Sequence, residues 1–126
     1  MTTAADIGRR GERLAAEWLR HNGFMILECN WRCGRYEIDI IATRYDTIHF
    51  IEVKTRRAGG WTTPEQAISP AKCRALFRGA EAFLAMNGTK LEPQFDLMAV
   101  DMFDENDCDI RSVSYTHLTL PTNREV

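Results

Sequence analysis

Apolar residues recur along this chain with two different periods, and the switches between them mark its elements. From Thr3 to about Asn22, Ile7, Gly11, Leu14, Ala15, Trp18 and Leu19 return at helical spacing. Thr3-Ala4-Ala5-Asp6 has the form of a capping box, with Asp where Glu or Gln is commoner. Gly23 stands where a helix C-terminus belongs. Three strand-like runs follow at about 24–32, 35–43 and 47–54, with Cys33-Gly34 and Tyr45-Asp46 as turns. Ser69 and Pro70 then supply the N-cap and first position of a second helix, which runs to about Met86 and stops at Asn87-Gly88. Its buried stripe is Leu76, Ala80, Phe83 and Leu84. A fourth strand spans Gln94 to Met102. The predicted order is α-β-β-β-α-β, an α/β fold with no internal repeat or linker.

Strand parity gives two short segments chemical interest. In Glu37-Ile38-Asp39 and Glu52-Val53-Lys54, two polar residues flank one apolar residue. Residues two apart on a strand share a face. The rule puts Glu37 with Asp39 and turns Ile38 and Ile40 together to the other side. It likewise puts Glu52 with Lys54, opposite Ile51 and Val53. If the two runs pair, three carboxylates and one ammonium converge. Such a patch suits Mg²⁺, which takes carboxylate and water oxygens and few protein ligands. Alternation on a solvated sheet face produces either triplet alone often enough; it is the pair, beside a basic segment, that points to a site. Glu12 borders the first helix's apolar stripe and leans toward the sheet. Gly8 and Gly11 thin the helix on that side, at a cost in helix stability.

A length of 126 residues fits one domain, and 44% hydrophobic with 27% charged residues is the composition of a soluble globular protein. The N-terminus has no basic segment leading into an apolar one, and no apolar run is long enough to span a bilayer, so a cytoplasmic protein without membrane association is expected. Cys29, Cys33, Cys73 and Cys108 offer only a C-x3-C spacing, which favours free thiols over a disulfide or zinc site. A net charge of −2 argues against bulk nucleic-acid affinity of the histone kind. Yet Lys54, Arg56, Arg57, Lys72, Arg74 and Arg78 are opposed over that stretch only by Glu65, and the segment Glu92 to Asp109 holds seven acidic residues and no basic one. Segregation of this kind steers a phosphate backbone toward one side. Lys72, Arg74 and Arg78 lie off the second helix's apolar stripe, placed for phosphates. The loop Thr55 to Thr63 reads as a DNA-contacting or gating element, and its Trp61 either stacks on a base or, more commonly for such an aromatic, pins the loop to the core.

The segment Val113-Ser114-Tyr115-Thr116-His117-Leu118-Thr119-Leu120-Pro121-Thr122 resembles an in-frame translation of a sequencing-library adapter. Residues 1–112 are therefore expected to form a single domain, and 113–126 an unstructured, non-native tail, with His117 carrying no function.

An acidic residue on the first helix, an aspartate on the second strand and E-x-K on the third, in this element order, resemble the restriction-endonuclease-like PD-(D/E)xK nucleases. More narrowly, the chain resembles the YraN-like family of small bacterial proteins, related to Holliday-junction resolvases. The match rests on Gly11-Glu12, Asn30-Trp31-Arg32, Glu37-Ile38-Asp39-Ile40-Ile41, Phe50-Ile51-Glu52-Val53-Lys54-Thr55-Arg56, Lys72 and Gln94-Phe95-Asp96. It departs at Tyr36, where the family usually carries glycine. The resemblance implies a mixed sheet flanked by helices and a Mg²⁺- or Mn²⁺-dependent DNA endonuclease, selective for junctions or branched DNA. It assigns Asp39 and Glu52 as main metal ligands with the Val53 carbonyl. Glu12 serves a second metal or its water, Lys54 activates the attacking water, and Glu37 is auxiliary. Arg56, Arg57, Lys72, Arg74 and Arg78 are expected against nucleic acid. The related resolvases imply a homodimer. Two other readings stay open: a nucleic-acid-binding module that does not cut, and a protein-interaction scaffold.

Overall fold

Both helices begin where a side chain can take their first free N–H groups. In the computed structural model, the Thr3 hydroxyl accepts from the Asp6 N–H and the Asp6 carboxylate accepts from the Thr3 N–H, each at 3.1 Å. This reciprocal cap opens α1, Ala4–His21. Ser69 accepts from the Lys72 N–H at 3.1 Å and opens α2, Pro70–Asn87, with proline at the N-terminal turn. Between and after them lie β1 (Met25–Cys33), β2 (Tyr36–Arg44), β3 (Thr47–Arg57), β4 (Glu92–Met102) and β5 (Cys108–Ser114). The structure describes residues 3–57, 69–104 and 107–114. The expectations for Trp61, for the loop past Arg57 and for the tail from 115 onward fall outside them.

The strands form one five-stranded sheet in chain order. All neighbours are antiparallel except β3 and β4, which are parallel and joined through α2. The fold is thus α/β, a mixed sheet with a helix on each face. Ala15, Ala16 and Leu19 of α1 pack with Ile40, Ala42, Ile51, Val53, Met98, Val100 and Met102. Cys73, Leu76, Ala80 and Phe83 of α2 pack with Ile38, Ile41, Ile48, Phe50 and Leu97. Central strands covered on both faces are buried on both, and Ile48 to Val53 is buried without a break, the polar His49 and Glu52 included. None of the described helices is long and apolar enough to cross a membrane.

Three expectations are corrected. Ile38 and Ile40 do not share a face: Ile38 packs under α2 and Ile40 under α1. The ladder is irregular there, since β2–β3 pairing begins at Ile40↔Ile51 and the β1–β2 register omits the Asn30–Asp39 pair. Asn30 sits at φ 53, a left-handed conformation that asparagine tolerates better than most residues. One kinked position reverses parity. Second, only one of the two glycines is a close approach. A Cβ on Gly11 would lie 1.8 Å from Thr55 Oγ1, whereas one on Gly8 would meet nothing within 4 Å. Third, the sheet does not stop at β4 or at Ser112. β5 pairs with β4 from Met102↔Cys108 to Asp96↔Ser114 and carries Val113 and Ser114 into the sheet. The backbone of β4 supplies its partner, and Cys108 and Ile110 lean on the α1-side core, an alternation visible over Cys108 to Arg111.

Candidate active site

The β3 row Glu52, Lys54, Arg56 projects to the α2 side, because Ile51 and Val53, which alternate with it, are committed to the α1 core. Glu52 is almost fully buried there, and its Oε2 lies 3.5 Å from Lys72 Nζ of α2. Lys72, expected against phosphate, instead meets a carboxylate while staying half exposed. Across the seam from β2, Asp39 Oδ2 accepts from the Val53 N–H at 2.8 Å. Where regular pairing has lapsed, the aspartate side chain takes a donor that a β2 carbonyl would otherwise take. The contribution shown for Val53 is thus its N–H.

Burial is the main influence on these acids, and it raises them. Glu52 is pushed from 4.5 to about 7 by desolvation and then by the nearby Asp39 charge, with Lys72 and Lys54 pulling the other way. Asp39 is raised by burial although the Val53 N–H, Lys72 and Lys54 all favour its ionised form. Glu12, reaching over from α1, is raised by burial and by Asp39, with an Asn30 hydrogen bond opposing. Glu37 lies close enough to add its charge to both Asp39 and Glu12. Four carboxylates and two lysines of the expected set therefore share one field. Asn30 is the further residue of the site: it kinks β1 opposite Asp39 and hydrogen-bonds Glu12. Its signal was an Asn in mid-strand, a residue type that tolerates positive φ.

The remaining basic residues do not join this field. Arg56 Nε bonds Asp101 Oδ1 at 2.9 Å, directly opposite it in the parallel register, and Arg111 Nη1 holds the other oxygen at 2.9 Å. Arg56 thus serves a half-buried structural pair, and an acid from the negative run neutralises a cation from the positive one. Arg57 is exposed at the end of β3, and Arg74 and Arg78 are exposed on α2.

Does this donor set suit a divalent ion? Among the described residues no three His, Cys, Asp or Glu side chains are grouped to hold one unaided. Two desolvated carboxylates, of which Asp39 raises the proton affinity of Glu52, do fit a hard cation, which relieves their repulsion and needs only one or two carboxylates. Asp39 and Glu52 qualify; Glu12 is a neighbouring charge, held by Asn30.

The chain matches the model of the Uncharacterised protein family UPF0102 over residues 11–100. It belongs to that family. Its relatives include a UPF0102 protein of Chlorobium chlorochromatii, 35% identical over 92% of this chain and 90% of the relative. Another, from Desulfitobacterium hafniense strain Y51, is 42% identical over 79% of this chain and 84% of the relative. A third, from Chlorobium phaeobacteroides strain BS1, is 38% identical over 90% and 91%. The UPF0102 match begins at Gly11-Glu12 and contains every carboxylate of the site.

Proposed function

We propose that this chain is a divalent-metal-dependent DNA endonuclease that hydrolyses phosphodiester bonds, with branched or junction DNA as its substrate. The supporting observation is the buried Asp39–Glu52 pair, both acids raised, with Lys54 and Lys72 in its field. Burying two like charges is costly, and the arrangement makes sense if a cation offsets it. In this reading Asp39, Glu52 and the Val53 carbonyl hold Mg²⁺ or Mn²⁺. The ion supplies Lewis-acid neutralisation at the phosphate. The Val53 N–H fixes one Asp39 oxygen, so only the other is left to turn toward a ligand. Lys54 stabilises charge on the phosphate and orients the attacking water, and Lys72 favours the ionised form of Glu52. Glu12 and Glu37 deepen the negative potential that concentrates a cation.

The lack of a three-carboxylate group among the described residues favours a second reading, a nucleic-acid-binding module that does not cut. One pair of measurements separates them. Calorimetric titration with Mn²⁺ should show binding that Asp39→Asn abolishes, and nicking of branched DNA should require both the ion and Asp39. Salt-sensitive DNA binding with no metal binding and no cleavage would reject the endonuclease and leave the module.

A further inference from the structure

Away from the carboxylates, the turn after β1 and the outer face of α2 form an open cavity of about 340 Å³ lined by Arg35, Tyr36, Ala71, Arg74, Ala75 and Arg78. Its construction follows from helix spacing. Arg74 and Arg78 are four apart and share a face, as do Ala71 and Ala75, so small methyl groups form a floor between guanidinium walls. Gly79 brings α2 onto β2, where an added Cβ would come 3.4 Å from Tyr36 Cβ. Arg35 lines one side, its Nη2 donating to the Tyr36 hydroxyl at 3.4 Å and its guanidinium 5.4 Å from that ring's centroid.

Three cations facing one cavity are poorly balanced. Arg78 lies 3.5 Å from Glu81, but both side chains are about two-thirds exposed and such a pair is weak. Among the described residues, Arg74 has no carboxylate within hydrogen-bond reach. A carboxylate ligand offers two oxygens and is satisfied by one guanidinium fork, whereas a phosphate offers oxygens in several directions and suits several forks. The cavity also adjoins the candidate active site on both of its walls, since Tyr36 precedes Glu37 on β2 and Ala71 precedes Lys72 on α2.

We propose that this cavity is a phosphate subsite that grips a non-scissile phosphate of the nucleic-acid strand whose neighbouring segment lies at Asp39 and Glu52. It rests on the nucleic-acid part of the proposed function and not on cleavage. Inorganic phosphate titrated into the ¹⁵N-labelled full chain should shift the Nε–Hε signals of Arg35, Arg74 and Arg78. Fluorescence anisotropy with a single-stranded oligonucleotide, in chelator and across a salt series, then compares two double variants of equal charge. Arg74→Gln with Arg78→Gln should weaken binding at least about tenfold and lower the salt slope by about 1. Arg13→Gln with Arg20→Gln, on exposed positions of α1, should change affinity less than about threefold. Equal losses from the two variants, or phosphate leaving the three arginine signals unmoved, would overturn the subsite; Asp39-dependent metal binding and cleavage would then still stand or fall separately. If the α2 variant behaves as expected while no substrate is cut, the subsite holds and the endonuclease reading falls.

Discussion

Two clusters of buried acid lie on the same face of this sheet, a few residues apart along β3, and they are balanced in opposite ways. At the Arg56 end, burial pushes Asp101 upward, but hydrogen bonds from Arg56 and Arg111 outweigh it and hold the acid below its usual range. At the Glu52 end, burial prevails: Asp39 and Glu52 are both raised, and the cations near them are a half-exposed Lys72 and Lys54. Asp101 has a guanidinium on each oxygen; Glu52 has a single ammonium at 3.5 Å. The first cluster is complete without a ligand and the second is not. Incomplete neutralisation in a buried setting is a better pointer to a site than acidity itself.

The widest separation between the two should be in cleavage. Asp39→Asn or Glu52→Gln should lower metal-dependent nicking by about 10³-fold with DNA binding kept. Full cleavage by either variant would erase the distinction. Next in size is the cost of breaking the completed cluster. Asp101→Asn leaves two guanidiniums facing a neutral group, one of them on Arg56, whose Nη1 is already buried without a partner among the described residues. That should destabilise the fold by about 2–3 kcal/mol, a loss of roughly 10 °C in Tm. An unchanged Tm would mean that the pair is ornamental.

Removing an acid from the other cluster should do the reverse. Glu52's folded pKa of about 7 lies above its ordinary 4.5. The folded chain therefore keeps a proton between those values that the unfolded chain has released. Stability contributed by that proton is complete below about 4.5, drains away through the window and is gone above about 7. In metal-free protein, Glu52→Gln should flatten this decline and stabilise the fold at pH 8 by on the order of 2 kcal/mol, shared with Asp39. Chemical denaturation at pH 5 and pH 8 reads it. A variant less stable than the parent at pH 8 would show that ionised Glu52 is well satisfied after all.

Most of the framework was legible in the residues, because periodicity and caps are local. Thr3-x-x-Asp6, Ser69-Pro70 and the Glu52/Lys54 row all sit where pattern puts them. So does the close approach at Gly11, whereas Gly8 faces open space. The misses share one cause: they depend on which elements meet. Parity failed at Asp39 because the alternation rule assumes an unbroken ladder, and the kink at Asn30 belongs to a different strand. The Arg56–Asp101 pair is set by the parallel register of β3 on β4, which α2 fixes from outside either sequence segment. Lys72 looked like one of three similar cations on α2, and only the docking of that helix separates it from Arg74 and Arg78.

The smallest effect, Lys72→Gln, is the sharpest on the unfinished cluster because its sign changes with pH. An ammonium beside a carboxylate favours the ionised form, so removing it should raise Glu52 above about 7. The same ammonium competes with any cation for the Glu52 oxygen. Below the Glu52 pKa the first effect governs: at pH 6.5 the variant carries more proton and should bind Mn²⁺ more weakly than the parent. Well above it, at pH 8.5, the carboxylate is ionised in both chains, and loss of the competitor should make the variant bind more tightly. Each change should be about two- to fivefold, the scale of a solvent-screened ion pair. Calorimetric titrations at the two pH values, with the Glu52 carboxyl followed by NMR, test the crossover. A loss of affinity at both would make Lys72 a supporting part of the cation site and not its competitor, and would bring the Glu52 end closer in kind to the completed cluster at Asp101.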